Sequence, residues 1–128
     1  MNFLPASKID LQATEHLDVA SDEEITPHLK ELMTWLQDIN WPVSMPVALR
    51  LAKCGIEIAP YIDEILKGDD EIWKFNVLYY LIPKLKPEVM EASMDEVVRI
   101  INCPTESEIK EELHKVAMDT GIIYSHSV

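Results

Sequence analysis

The sequence predicts an all-α protein: a short right-handed α-solenoid of about seven helices forming one domain over residues 1–128. Three observations predict it. Helix-start signals recur along the chain. Apolar residues follow helical spacing, while hairpin signals are missing. The pattern of a helix pair repeats at intervals of 32 to 35 residues.

The start signals are capping boxes, in which a Ser or Thr and a Glu three residues later satisfy each other's backbone N–H groups. Ser21 with Glu24, Ser93 with Glu96 and Thr105 with Glu108 have this spacing, and Ser7 with Asp10 is a weaker version. The chain contains only three glycines and neither an Asn-Gly nor an Asp-Gly pair, which disfavours tight hairpins. The same scarcity excludes Gly-rich phosphate loops.

Element by element, a narrow stripe of Ile9, Ala13 and Leu17 predicts an N-terminal capping helix over about 8–19. Three helix pairs follow, over about 22–54, 57–85 and 88–120. In the first pair, Leu29, Leu32, Met33 and Leu36 give the i, i+3, i+4, i+7 stripe of an amphipathic helix, and Pro27 suits its first turn. Pro42 forbids helix at Trp41, so the chain turns there and resumes near Ser44, with Pro46 in the new first turn. Gly55 is expected to end that second helix as a left-handed cap.

In the second pair, IEIAPYIDEILKG ends at Gly68, and Asp69 or Asp70 caps EIWKFNVLYYLIPKL, which Pro83 kinks or ends. Within that helix Ile72, Phe75, Leu78, Tyr79 and Ile82 read as the core stripe. In the third pair, KPEVMEASMDEVVRIIN is expected to break near Ser93, and Glu106 to about Thr120 forms the last helix. A mobile tail is expected over 121–128.

The internal repeat is visible as Asp38 and Trp41 recurring at Asp70 and Trp73, 32 residues on. Leu29, Leu32 and Met33 recur as Ile62, Ile65 and Leu66, and these in turn as Val97, Ile100 and Ile101. A proline in an amphipathic first helix, an Asp at the turn and a strongly apolar second helix resemble HEAT repeats. More specifically, the run SDEEI…LKELMTWLQDINWPVSMPVA followed by EILKGDDEIWKFNVLYYLI is similar to a family of small bacterial proteins known as the domain of unknown function numbered 5071. The resemblance covers about Leu4 to Ala117, and its most specific part is Trp35 to Val43. It implies a HEAT-like helical fold and supplies no catalytic residues.

Charge narrows the partners. The net charge is −12, from 23 acids against 11 bases. A field of this sign repels nucleic acid and anionic membrane surfaces, whose recognition needs a basic footprint. It favours a basic protein partner, although acidity also serves solubility alone. Apolar residues make up 48% of the chain, enough for a core without metal or disulfide staples. The opening MNFLPASKID lacks the basic region and apolar stretch of a secretory signal, and no apolar run reaches the roughly 20 residues of a membrane span, so a cytoplasmic location is expected. Cys54 and Cys103 are then expected to be reduced and partly buried.

No catalytic or metal motif stands out. His16, His28, His114 and His126 show no zinc spacing, and the acid clusters SDEEIT and GDDEIW lie at helix starts, where acids cap. No cofactor, metal or catalytic residue is therefore assigned, and the protein is expected not to be an enzyme. The remaining signal is aromatic. Trp73, Asn76, Tyr80 and Lys84 fall on one helical stripe, with Trp41 and Ser44 in matching places of the preceding pair. These six form the candidate binding surface, because Trp, Tyr and flanking charge make binding hot spots.

The function expected from this reading is a non-enzymatic module that binds a protein or peptide, in an immunity or antitoxin-like manner. The alternatives are a small-ligand or enzymatic protein with a pocket between helices, and a structural protein that self-associates into homo-oligomers.

Overall fold

A computed structural model describes residues 2–127. All regular structure among them is helical. The α-helices are α1 (Leu11–Val19), α2 (Asp22–Ile25), α3 (Leu29–Met33), α4 (Ser44–Leu51), α5 (Ala59–Lys67), α6 (Glu71–Asn76), α7 (Pro87–Asn102), α8 (Glu106–Lys110) and α9 (Leu113–Ser127). Short 3₁₀ turns at Thr26–His28 and Thr34–Leu36 join α2 and α3 into one broken helix and extend it. A π turn, Val77–Leu81, and a 3₁₀ turn, Ile82–Lys84, continue α6.

Local chemistry explains most helix starts. Ser21 and Thr105 open α2 and α8 through complete capping boxes with Glu24 and Glu108. Asp10 caps α1 by accepting from the Ala13 N–H, so this helix begins at Leu11 and not at Lys8. Asp70 caps α6 by accepting from the Trp73 N–H. Pro46 sits within the first turn of α4, where no helical N–H is lost.

Several expected boundaries are displaced. Ser93 is not a cap: α7 runs unbroken through it, the Ser93 hydroxyl donates to the Val89 carbonyl, and Glu96 pairs with Arg99 instead. Gly55 is not left-handed; its φ of −85° and ψ of −162° are extended. The last helix is interrupted at Glu112, whose φ is 59°, and α9 then continues past Thr120 to Ser127. Val128, the end of the expected tail, lies outside the described residues.

The stripe on α6 also differs from expectation. Ile72 and Tyr79 are 68% and 57% exposed, whereas Lys74, Asn76, Val77, Leu78 and Leu81 are buried. Two causes act together. Trp73 and Asn76 turn toward α3, which rotates Ile72 outward. The π turn then changes the spacing, so positions after Val77 no longer follow the 3.6-residue period. In the π register the carbonyl of Leu78 would meet the nitrogen of Pro83, which carries no hydrogen. The Thr120 hydroxyl of α9 donates to that carbonyl at 2.9 Å instead.

The core is one cluster running from Leu17 and Ile25 through Leu32, Leu51, Ile62 and Leu78 to Val97 and Ala117. In series, α3 neighbours α5 and α5 neighbours α7; likewise α1 neighbours α4, α4 neighbours the 77–81 turn, and that turn neighbours α9. The most extensive helix–helix contact is between α7 and α9.

Candidate functional site

The junction of α3, α5 and α6 is built on carbonyls at or near helix ends. The last carbonyls of a helix have no N–H of their own to accept from. At the end of α3 the indole Nε1–H of Trp73 donates to the Met33 carbonyl at 3.1 Å. One turn on, the Asn76 side-chain amide donates to the Leu36 carbonyl at 2.7 Å. The guanidinium of Arg99 likewise reaches the Leu66 carbonyl near the end of α5, at 3.2 Å. Each contact brings a side-chain donor to a carbonyl at or near a helix end and fixes one helix against another.

A buried ion network lies beneath this junction. Glu108 is fully buried and accepts from Lys74 Nζ at 3.0 Å, from both terminal nitrogens of Arg99 at 2.8 Å, and from the Thr105 N–H at 2.8 Å. Lys74, only 2% exposed, also pairs with Glu71 at 3.0 Å. Arg99 adds Glu96 at 2.9 Å. Burial by itself would push the Glu108 carboxyl up, but the hydrogen bonds from Arg99, Thr105 and Lys74 outweigh it and hold the pKa at about 2. The same bond to Glu108 raises Arg99 further above its ordinary value. Lys74, Arg99 and Glu108 are each paired within the chain, and Glu71 keeps one buried oxygen, Oε2, without a hydrogen bond to the described residues, so the network is a structural clamp joining α6, α7 and α8.

A groove opens beside Trp73. Its inner part, about 60 Å³, is walled by Met33, Tyr61, Ile65 and Trp73, with Lys30 and Glu64 at the mouth. Its outer part, about 130 Å³, shares Glu64, Ile65 and Trp73 and adds Gly68, Asp69 and Asp70. The floor is therefore apolar and aromatic, and the rim is acidic. Asp69 is exposed and has no bond to the described residues, whereas Asp70 is spent in part on capping α6. Such a lining suits a cationic side chain with an apolar stem.

A larger hollow of about 240 Å³ beside α1, lined by Asn2, Asp10, Gln12, Ala13 and His16, offers less. Both oxygens of its Asp10 already accept backbone N–H groups, from Ala13 and Ala6. Among the described residues no group of three or more His, Cys, Asp or Glu could hold a metal, and no helix is long and apolar enough to cross a membrane.

The six sequence-derived candidates are not brought together on one open surface. Ser44 and Asn76 are buried, at 0% and 3% exposure, and so present nothing to a partner. Trp73 is half-buried and lines the groove. Trp41 packs edge-to-face on Trp35 at 5.7 Å. Tyr80 belongs to an aromatic cluster, 4.8 Å from Tyr79 and 6.4 Å from Phe75. Lys84 is exposed beyond it. Sequence reasoning missed the groove residues Lys30, Tyr61, Glu64 and Ile65, which approach Trp73 only through folding. Asp69 and Asp70 were visible as a cap, without their second role on the rim.

The family model for a domain of unknown function, DUF5071, matches residues 3–120. The chain belongs to this family. The matched stretch lies wholly within the described residues, and the Trp73 groove and the Glu108 clamp both fall inside it. No curated protein matches the chain.

Proposed function

We propose that this DUF5071 protein is a non-enzymatic helical-repeat module, working in the cytoplasm, that binds a basic segment of another protein. The observation that carries the reading is the Trp73 groove, apolar on its floor and carboxylate on its rim, in a chain of net charge −12. Trp and Tyr in a partly desolvated groove give affinity, while the surrounding charge speeds encounter and selects the sign of the partner. An acidic module of this kind suits neutralisation of a basic protein, as an immunity or antitoxin-like protein would do.

The helix neighbours support the finer fold reading. The α3–α5–α7 series and the α4–(77–81)–α9 series fit the two layers of a short right-handed, HEAT-like solenoid capped by α1. The Trp73 groove then lies between the first and second helix pairs.

The test is a fluorescence-anisotropy titration with a labelled peptide rich in lysine and arginine. Wild-type protein binds it, and binding weakens steeply with salt. The double variant Glu64→Lys/Asp69→Lys, at two exposed positions, loses affinity by about tenfold or more. Equal affinity in the double variant contradicts the reading.

Self-association is a second reading, favoured by Met118 and Ile122, one turn apart on α9 and 51% and 56% exposed. Sizing at rising protein concentration decides it: a constant monomer mass excludes it.

A further inference from the structure

The groove already holds a cation of the chain's own at its mouth. Lys30 Nζ lies 3.8 Å from Glu64 Oε1, and both side chains are well exposed, at 77% and 64%. An exposed pair of this kind is weak and readily exchanged. Resting on the basic-segment reading above, we propose that the groove takes one arginine side chain of the partner, which enters by displacing Lys30 from Glu64.

Three features select arginine. The indole N–H of Trp73 is spent on the Met33 carbonyl, so the ring offers a guest only its apolar body and π face. A guanidinium stacks flat on such a face, whereas an ammonium is a compact, strongly hydrated point charge. Glu64, once released by Lys30, is a carboxylate with both oxygens available for the two parallel N–H bonds that guanidinium forms and ammonium does not. Asp69 stands on the rim, exposed and without a bond to the described residues, to complete the cation's surroundings. Lys30 therefore acts as an internal competitor, and it sets a threshold that a lone lysine on a partner does not cross favourably, since it only exchanges like for like.

The experiment compares acetylated hexa-arginine and hexa-lysine, which carry equal charge, on wild type, Lys30→Gln, Lys53→Gln and Glu64→Gln. Lys53 is the matched control: it forms an equally exposed pair with Asp18 at 3.7 Å, away from the groove, and its loss changes the net charge by the same amount. The expected result is a preference of wild type for hexa-arginine that Glu64→Gln abolishes. Lys30→Gln binds hexa-arginine about two- to fivefold more tightly than Lys53→Gln, the range set by the strength of one exposed pair. If the two peptides bind wild type equally, or if Lys30→Gln and Lys53→Gln bind alike, the displacement of Lys30 by arginine is overturned while basic-segment binding stands. If neither peptide binds, the basic-segment reading itself falls.

Discussion

Replacing Glu108 by Gln should unclamp the C-terminal half of the protein. The change is nearly isosteric, so it leaves no cavity. It removes the charge that faces Lys74 and Arg99, and it puts an amide donor where both neighbours are donors. Lys74, 2% exposed, would keep only Glu71 as counter-ion. Breaking a buried ion pair by removing one partner costs about 3–5 kcal/mol. The titration of Glu108 gives a similar size: its pKa of about 2, against 4.5 for an ordinary glutamate, corresponds to roughly 3 kcal/mol.

The assay is urea unfolding of wild type and Glu108→Gln from pH 7 to pH 2.5. With a slope of about 2 kcal/mol per molar urea, the midpoint at pH 7 should fall by about 1.5–2.5 M. The pH dependence has a fixed sign. A carboxylate depressed in the folded state stabilises fully above its unfolded pKa and loses that contribution as pH falls through its folded pKa. The gap between wild type and variant should therefore be widest above pH 4.5 and narrow toward pH 2. Asp63 works in the opposite sense, because burial raises its carboxyl, so the difference between the two proteins is the quantity to follow. A loss below about 1 kcal/mol at pH 7, or a gap that does not narrow in acid, would refute the clamp.

Other substitutions probe the remaining joints. Asn76→Ala leaves the Leu36 carbonyl without its donor and should cost about 1–3 kcal/mol in thermal or chemical unfolding. Thr105→Ala removes the acceptor of the Glu108 N–H and should cost about 1 kcal/mol. Ser93→Ala, by contrast, should change stability by less than about 0.5 kcal/mol, because Ser93 sits inside α7 and returns its hydroxyl to the preceding turn; a loss of a full cap's worth in the same unfolding assay would put a helix start there after all. Leu32→Ala, at a fully buried core position, should cost about 2–5 kcal/mol.

What could be seen in the sequence was local. The Ser21 and Thr105 boxes, the Asp70 cap and the stop before Pro42 each depend on residues within one turn of one another, so spacing reveals them. The Ser93 box failed for the same reason: Ser-x-x-Glu has one spelling at a helix start and in a helix interior, and only the continuing apolar face of α7 decides between them. The inward turn of Trp73 and Asn76 depends on carbonyls 40 residues away, and the burial of Lys74 depends on a glutamate 34 residues away. By composition Lys74 reads as a surface lysine. The π turn at Val77–Leu81 leaves no mark in a pattern of apolar residues, yet it decides which of them face water. For the site, the sequence named Trp73 and read the acids beside it only as helix caps, while Lys30, Tyr61 and Glu64 reach it only across the α3–α5 interface.

The claim that one groove receives a basic segment is tested most directly by following backbone and indole N–H signals in an NMR titration with an arginine-rich peptide. The largest shifts should fall on Met33–Thr34, Tyr61–Ile65 and Gly68–Trp73, with the Trp73 indole among them. Shifts spread evenly over the acidic helix starts, or gathered on another face such as Met118 and Ile122 of α9, would contradict it.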